Sequence, residues 1–180
     1  MSAIYPWSTG RLKMKNVNII MRGINVKNAI LFVDDKIVKT KYNEFGGQIA
    51  NIQTEKSSIK IRVESFLELQ NPMWFLTNIF FFLISLFGLF DIRPTKDLTI
   101  VDYDATFTLI DEGKNNIALT IDSNKGPKVF AETPCQVEEH KNTLEIDEKL
   151  RKRRKILTIS KIFTFLIAVA IIVTVIFLNN

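Results

Sequence analysis

The chain has 180 residues, a formal net charge of +5 and a hydrophobic share of 47%. One cysteine, Cys135, and one histidine, His140, exclude an intramolecular disulfide bond and a zinc site built from these residue types. Much of the positive charge lies in one short block and is not interleaved with aromatic residues, so we expect no nucleic-acid partner.

Residues 1–71 predict a β-rich segment. Apolar residues take every second position over 17–21 and again over 59–63, which is typical of strands with one buried face. Asp34-Asp35-Lys36 predicts a hairpin turn, and Phe45-Gly46-Gly47 predicts a second turn before the next apolar segment.

Residues 72–91 predict a hydrophobic helix. Its 18 residues from Met73 to Phe90 carry no charge. Such a helix is about 27 Å long, which is marginal for a bilayer core of about 30 Å. Thr77, Asn78 and Ser85 lie within one sector of a helical projection, so they are candidates for helix packing.

Residues 92–150 predict a second β-rich segment. Apolar residues alternate over 101–109 and 117–121, and further short strands are expected near 129–131 and 144–146. Turns are expected at 111–115 and 124–127, where Gly, Asn and Pro gather. The pattern is typical of a small β-sandwich or of half of one.

The C-terminal part predicts a basic juxtamembrane block at 151–155 and a transmembrane helix at 156–178. The residues expected to set its topology are Arg151, Lys152, Arg153, Arg154 and Lys155. Because cations are retained on the cytoplasmic side, they place residues 92–155 in the cytoplasm and the C-terminus across the cell membrane. Small and hydroxylated residues recur on one stripe of this helix and are further packing candidates, namely Ser160, Thr164 and Ala168.

The sequence leaves open on which side of the membrane residues 1–71 lie. If residues 73–90 span the membrane, the two β-rich segments lie on opposite sides and fold separately. If residues 73–90 dip into the membrane, both segments stay cytoplasmic and can combine into one sandwich. The double span is the preferred interpretation here, because a continuous apolar helix is the simpler structure.

Few residues suggest chemistry. Asp102 and Asp104 share a strand face about 7 Å apart, and His140 lies in a charged segment next to Glu138 and Glu139. The simpler interpretations are solubilising carboxylates on an outer strand face and a solvated histidine in a loop. No phosphate-binding glycine motif is present, and we expect no catalytic residue, cofactor or metal.

The sequence therefore predicts an α+β membrane protein with two hydrophobic helices and antiparallel β-sandwich-like modules. The preferred function is a non-catalytic, membrane-anchored accessory or scaffold subunit of a larger membrane assembly of the transporter or secretion type. Membrane lipid and one or more proteins are the expected partners, with the β module making the protein contacts. One alternative is an immunity or sensor protein that binds a ligand with this module. Another is a membrane-bound enzyme that uses Asp102 and Asp104 or His140.

Overall fold

The alternating apolar segments form ten β-strands within the described residues of the computed structural model, which are 14–23, 26–86, 98–111, 114–122, 126 and 128–179. The strands are β1 (Lys15–Gly23), β2 (Ala29–Val33), β3 (Lys36–Ile37), β4 (Lys41–Tyr42), β5 (Gln48–Thr54), β6 (Ser58–Ser65), β7 (Thr99–Thr108), β8 (Asn115–Ile121), β9 (Val129–Glu132) and β10 (Gln136–Ile146). The α-helices are α1 (Trp74–Leu86) and α2 (Glu148–Asn179), and Val26–Asn28 and Glu68–Gln70 form short 3-10 helices.

The strands form two five-stranded sheets, and each sheet contains strands from both β-rich segments. Sheet 1 has the order β4-β5-β1-β8-β9, and sheet 2 has the order β10-β7-β6-β2-β3. In sheet 1, β1 pairs with β8 from Val17 opposite Asn115 to Gly23 opposite Ile121. This pairing is parallel and the other described pairings are antiparallel, so the expected antiparallel architecture is confirmed except at this pair.

The interleaved sheets favour the interpretation in which residues 73–90 do not separate the two β-rich segments. Strand β1 is hydrogen-bonded to β8, and β6 is hydrogen-bonded to β7, so strands before and after the hydrophobic helix α1 share both sheets. A bilayer cannot separate strands that share a ladder of backbone hydrogen bonds. The two segments therefore form one sandwich, and its side of the membrane stays a prediction.

The local predictions made from alternation and turn residues are confirmed. Strands β2 and β3 flank the turn at Asp34 and Asp35, which both have positive φ angles, of 49° and 61°. Phe45 and Gly46 lie in the turn between β4 and β5. Parts of the turns expected at 111–115 and 124–127 lie outside the described residues.

The core lies between the two sheets and consists of the apolar residues that alternate along the strands. The fully buried large side chains include Ile19, Ile61, Tyr103, Phe107 and Leu119. Burying a side chain of this size stabilises a fold by about 1.5–3 kcal/mol. Tyr103 places its hydroxyl in this core without a hydrogen-bond partner among the described residues, and burial raises the pKa of its phenol.

Helix α2 starts directly after β10. The Asp147 carboxylate accepts a hydrogen bond from the backbone N–H of Lys149 at 2.7 Å, which caps the helix, and Glu148 supplies a negative charge at the first turn. The basic block expected before the membrane helix forms the first turns of this same continuous helix. Residues Glu148–Leu178 are long and apolar enough to cross a membrane.

Helix α1 is 13 residues long as described, shorter than the 18-residue apolar segment, whose last residues lie outside the described part. It runs alongside α2 in the same direction. The Arg153 guanidinium lies 5.6 Å from the Trp74 ring centroid, and the Lys161 ammonium lies 5.5 Å from the Phe82 ring centroid, so both helices advance by eight residues between the two contacts.

A second apolar cluster joins the helices to the sandwich. It consists of Leu67, Leu69, Leu98, Leu150 and Leu157, each less than 10% exposed. Leu69 lies shortly before α1, and Leu98 lies directly before β7. The chain therefore approaches α1 and enters β7 at the same end of the sandwich, where α2 also starts.

Candidate functional site

The outer face of sheet 2 carries the two aspartates singled out in the sequence, and each one has its own lysine. The Asp104 carboxylate lies 3.0 Å from the Lys60 ammonium, and Asp102 is paired with Lys141. The hydrogen bond from Lys141 to Asp102 raises the pKa of this lysine. Because different cations neutralise the two carboxylates, they serve as ion-pair partners on this face.

The rest of that face continues the same network. The Arg62 side chain lies 3.4 Å from the Glu64 carboxylate, and its guanidinium lies 4.4 Å from the Phe32 ring centroid. No group of three or more His, Cys, Asp and Glu residues is arranged to hold a metal ion among the residues that the structure describes. The outer face of sheet 2 thus pairs its charges with one another, although Arg62 Nε and Asp104 Oδ1 are buried and have no hydrogen-bond partner among the described residues.

His140 lies in strand β10, which corrects the expectation that it belongs to a loop. The register between β10 and β7 shifts between Glu139 and Lys141, so His140 occupies a β-bulge. Its Nε2 atom lies 2.8 Å from Thr106 Oγ1 on the neighbouring strand, and both side chains are partly or fully open to solvent. No carboxylate is bonded to the imidazole in the described part of the chain.

Cys135 is buried in the core between the sheets. Its thiol donates to the Asn115 side-chain oxygen at 3.4 Å. Asn115 also bridges the backbone N–H and carbonyl of Ile110, at 2.9 and 3.3 Å. These contacts hold the connection between β7 and β8 in place, and they give the thiol a packing role.

The outer face of sheet 1 is different, since side-chain amides lie side by side on three neighbouring strands. Asn18 of β1 lies opposite Asn51 of β5 and Asn116 of β8, and Asn16 lies opposite Gln53. We call these five residues the carboxamide face. With Lys114 at its rim, the face lines a shallow recess of about 660 Å³.

The side chains of the carboxamide face make no hydrogen bonds to one another or to other described residues. Asn18 Oδ1 is buried and has no hydrogen-bond partner there. A carboxamide offers one acceptor oxygen and two N–H donors, and a buried polar atom without a partner costs about 1–3 kcal/mol. The face can therefore bind a polar, uncharged surface that supplies both donors and acceptors.

Comparison of the chain with known protein families, characterised proteins and solved structures gives no match. Its function is therefore argued from the geometry of its surfaces.

The packing candidates on α1 form hydrogen bonds within their own helix. The Asn78 amide is buried and donates to the Trp74 carbonyl at 2.8 Å, and the Ser85 hydroxyl donates to the Phe82 carbonyl at 2.7 Å. Thr77 is exposed. The buried Asn78 side chain thus has a hydrogen-bond acceptor for its amide within the same helix.

The candidates on α2 lie on the face that is least exposed. Beyond Leu157, the described side chains of α2 that are partly buried are Ser160, Lys161, Thr164 and Ala168. Lys161 contacts Phe82 of α1, so this face of α2 is turned toward α1 near its start. Helix packing by the small residues stays a prediction.

Within the basic block, Arg153 fixes the direction of α2. Its guanidinium donates to the Leu69 carbonyl at 2.6 Å and stacks near the Trp74 ring. Arg151 pairs with Glu148 at 3.2 Å, and Lys152 and Lys155 are exposed. The block therefore combines contacts of Arg151 and Arg153 within the protein with two exposed lysines, Lys152 and Lys155, while Arg154 is partly buried.

Sequence reasoning missed the carboxamide face. Asn16 and Asn18 alternate with buried apolar residues, as do Asn51 and Gln53, and each pair by itself resembles an ordinary solvated strand face. The signal available in the sequence was that the outward positions of these strands carry many amides and few charges. These amides form one face only because β1 pairs with β8, which brings Asn18 opposite Asn116, about 100 positions later in the chain.

Proposed function

We propose that the protein is a non-catalytic accessory subunit that is anchored in a membrane by α2 and binds a partner protein with the carboxamide face. The observation that carries the proposal is this face itself: five amide side chains in register, with a buried oxygen that has no partner in the described structure. The outer face of sheet 2 also has polar atoms without a hydrogen-bond partner, Arg62 Nε and Asp104 Oδ1, but its residues are charged and form ion pairs, whereas the carboxamide face consists of uncharged amides.

The helices support the anchoring part of the proposal. Most apolar side chains along 156–178 are exposed, so an apolar environment would cover them. A helix over these residues is about 34 Å long, enough for a bilayer core of about 30 Å. Helix α1 is about 20 Å long and also exposes apolar side chains, including Phe75, Phe80 and Leu83.

Because α1 lies beside α2, its contacts with α2 indicate how deeply α1 would lie in the bilayer. Trp74 lies at the level of Arg153, where headgroups would meet a tryptophan and a cation. Phe82 lies at the level of Lys161, whose long side chain can reach back toward the headgroups. In this arrangement α1 dips into the bilayer beside α2, and the whole sandwich stays on the cytoplasmic side with the basic block.

The chemistry of the face limits the partner. Amide side chains pair with backbone amides and with other uncharged polar groups, whereas ion pairing needs charges that this face lacks. Protein surfaces of the size expected for a stable complex carry about one hydrogen bond per 100–200 Å². We therefore expect a polar protein surface as the partner, with the membrane anchor limiting its orientation.

Site-specific photocrosslinking tests the partner. A photoreactive amino acid replaces Asn51 on the carboxamide face or, as the matched control, Thr108 on the outer face of sheet 2; both positions are exposed. We expect an adduct of one defined mass from Asn51 in intact membranes and none from Thr108. The adduct should disappear when Asn116→Arg places a charge on the same face. Equal yields from both positions, or none from Asn51, would contradict the proposal.

Cysteine labelling tests the side of the sandwich. Lys39→Cys and Thr108→Cys, each at an exposed position and in a Cys135→Ser background, report on the two β-rich segments separately. Both cysteines should react with a membrane-impermeant maleimide only after the cells are permeabilised. Labelling of either one in intact cells would overturn the cytoplasmic placement.

A further inference from the structure

Exposed aromatic side chains gather at one end of the sandwich. Among the described residues of the strands and their connections, they are Tyr42, Phe45, Phe66 and Phe130. Apolar residues that are exposed singly are common on protein surfaces, whereas a group of them marks a contact surface. We call this part of the molecule the helix end, because α2 starts there.

Strand pairing places all of these residues at the helix end, where β6 and β10 finish. Tyr42 lies opposite Gln48 at the beginning of β5, and the Gln48 side-chain amide donates to the Val26 carbonyl at 2.6 Å, in the connection from β1 to β2. Phe66 directly follows β6. Phe130 lies near the end of the pairing between β8 and β9. Both sheets therefore contribute to the helix end.

Phe45 lies at the tip of the turn between β4 and β5 and is 93% exposed. Asn43 fixes this turn, since its side-chain oxygen accepts hydrogen bonds from the backbone N–H groups of Phe45 at 3.1 Å and of Gly47 at 2.6 Å. The Tyr42 hydroxyl donates to the Lys27 carbonyl at 3.2 Å, which ties the turn to the 3-10 helix before β2. A well-fixed turn therefore presents an apolar ring to its surroundings.

We propose that the helix end of the sandwich docks on the surface of the lipid bilayer, with Phe45 inserted at the level of the headgroups. The inference rests on the membrane anchoring of α2 proposed above. Contact at this end stands the strands upright on the membrane. Both outer faces, including the carboxamide face, then stay open to a partner that lies beside the protein.

Distances along the chain bring Phe45 to the headgroup level. Ile146, the last residue of β10, and Arg153 are about 10 Å apart along the start of α2. The turn projects past Gln48, the first residue of β5, by up to about 10 Å. Its tip can therefore lie level with Arg153 and Trp74, which mark the headgroups in the arrangement proposed above.

The chemistry of the helix end favours insertion of apolar side chains over attraction by charge. Lys27 and Lys41 are exposed there, but so is Glu44, next to Phe45. Aromatic side chains are favoured where a protein meets the membrane–water interface. Because α2 continues from this end into the bilayer, the lipid surface is the partner that this end meets. We therefore expect docking on a membrane without net charge.

A nitroxide spin label at the turn tests the proposal in the full chain. The label is attached to Glu44→Cys in a Cys135→Ser background, which keeps Phe45 in place. The control is Ser57→Cys in the same background, in the exposed turn at the other end of β5. The two positions are separated by the length of β5, about 20 Å. Both proteins are reconstituted into vesicles of dioleoyl phosphatidylcholine.

Collision rates with oxygen, which concentrates in the bilayer, and with a water-soluble nickel chelate report where each label lies. We expect the label at position 44 to favour oxygen and the label at position 57 to favour the chelate. Phe45→Ser should shift the label at position 44 toward water, by roughly tenfold in the docking equilibrium. Phe45→Trp should keep the label in lipid, because tryptophan is favoured at the interface.

Three results would overturn the proposal. The labels at positions 44 and 57 could be equally open to the chelate, or Phe45→Ser could leave position 44 unchanged. The label at position 44 could also be shielded only in native membranes, which would mean that a protein covers the turn. A label at Ile171→Cys, on α2, separates this failure from that of the anchor. If position 171 is open to the chelate, anchor and docking are both wrong; if it lies in lipid while position 44 lies in water, only the docking is wrong.

Discussion

The two outer faces of the sandwich differ in the polar side chains they carry and in how these are paired. On sheet 2, Asp104 is held by Lys60, and Asp102 by Lys141. On sheet 1, Asn18, Asn51 and Asn116 lie in one row with no side-chain partner in the described structure. Both faces are polar and both leave buried atoms without a hydrogen-bond partner among the described residues, but only sheet 2 pairs its side chains as ions.

The difference is the basis on which we propose sheet 1 as the partner-binding face. A face whose ions are already paired loses those pairs, or must desolvate them, when another surface covers it. Amides have no charge to desolvate, and the exposed amides of Asn51 and Asn116 can form hydrogen bonds when a polar surface covers them. The sandwich thus has one ion-paired face and one face of unpaired amides, and the second is the face that we propose for recognition.

The strongest test of this comparison removes the strand pairing that creates the carboxamide face. Gly23 ends β1 with φ at +106°, and a Cβ there would lie 1.9 Å from the Ile121 carbonyl oxygen on β8. We expect Gly23→Ala to lower the free energy of unfolding by on the order of 3 kcal/mol, because the backbone must shift. Urea unfolding of the full chain in mild detergent, followed by circular dichroism, measures the loss.

Gly46→Ala is the control for this effect. Gly46 also has a positive φ, of +75°, but nothing lies within 4 Å of its ideal Cβ. The control should cost about 1 kcal/mol, the penalty for the left-handed conformation alone. Equal losses at Gly23 and Gly46 would show that close contact between β1 and β8 does not limit stability.

A second test compares a bonded amide with an open one. Asn142 of β10 accepts a hydrogen bond from the Val129 backbone N–H at 2.7 Å and donates to the Val129 carbonyl at 2.9 Å, which joins the two sheets at one edge. Asn142→Ala leaves both backbone groups unpaired, so we expect a loss of about 2 kcal/mol. Asn116→Ala, on the carboxamide face, should change stability by less than about 0.5 kcal/mol. A comparable loss in both variants would mean that the carboxamide face is structural.

Local patterns in the sequence predict the strands well, but not how they are combined. Alternation at 17–21 and 117–121 reflects burial of one side of each strand, so it is visible within a few residues. The parallel pairing of β1 with β8 has no local signal, and hence neither the single sandwich nor the carboxamide face followed from the sequence. His140 was expected in a loop, because a bulged edge strand open to solvent carries the same charged residues as a loop.

A third test uses acid, because the polar contacts of sheet 2 include carboxylates and the carboxamide face has none. Asp34 accepts hydrogen bonds from the Lys56 ammonium at 2.6 Å and from the Lys60 backbone N–H at 3.0 Å. Burial alone would raise the pKa of Asp34, but these hydrogen bonds and the nearby lysine charges together lower it.

The lowered pKa fixes the sign of the pH effect. Asp34 binds protons less readily in the folded state than in the unfolded one, so its contribution to stability is present above the unfolded pKa, about 3.9. That contribution is lost as the pH falls through the folded pKa. Asp34→Asn should cost about 1 kcal/mol at pH 7 and progressively less in acid. Urea unfolding at pH 7 and pH 3 measures both; a loss that is the same at the two pH values would contradict the ionic contribution.

The smallest expected effect comes from the ion pairs that distinguish sheet 2. The Lys60 side chain is 40% exposed and the Asp104 side chain 19%, so water screens much of their attraction. A double-mutant cycle with Lys60→Met and Asp104→Asn should give a coupling below about 1 kcal/mol, and 0.5 M salt should reduce it further. A much larger coupling would mean that the Lys60–Asp104 ion pair makes a strong contribution to the stability of the fold. A coupling of zero would leave the aspartates open to a cationic partner, and sheet 2 would then compete with sheet 1 as the surface for recognition.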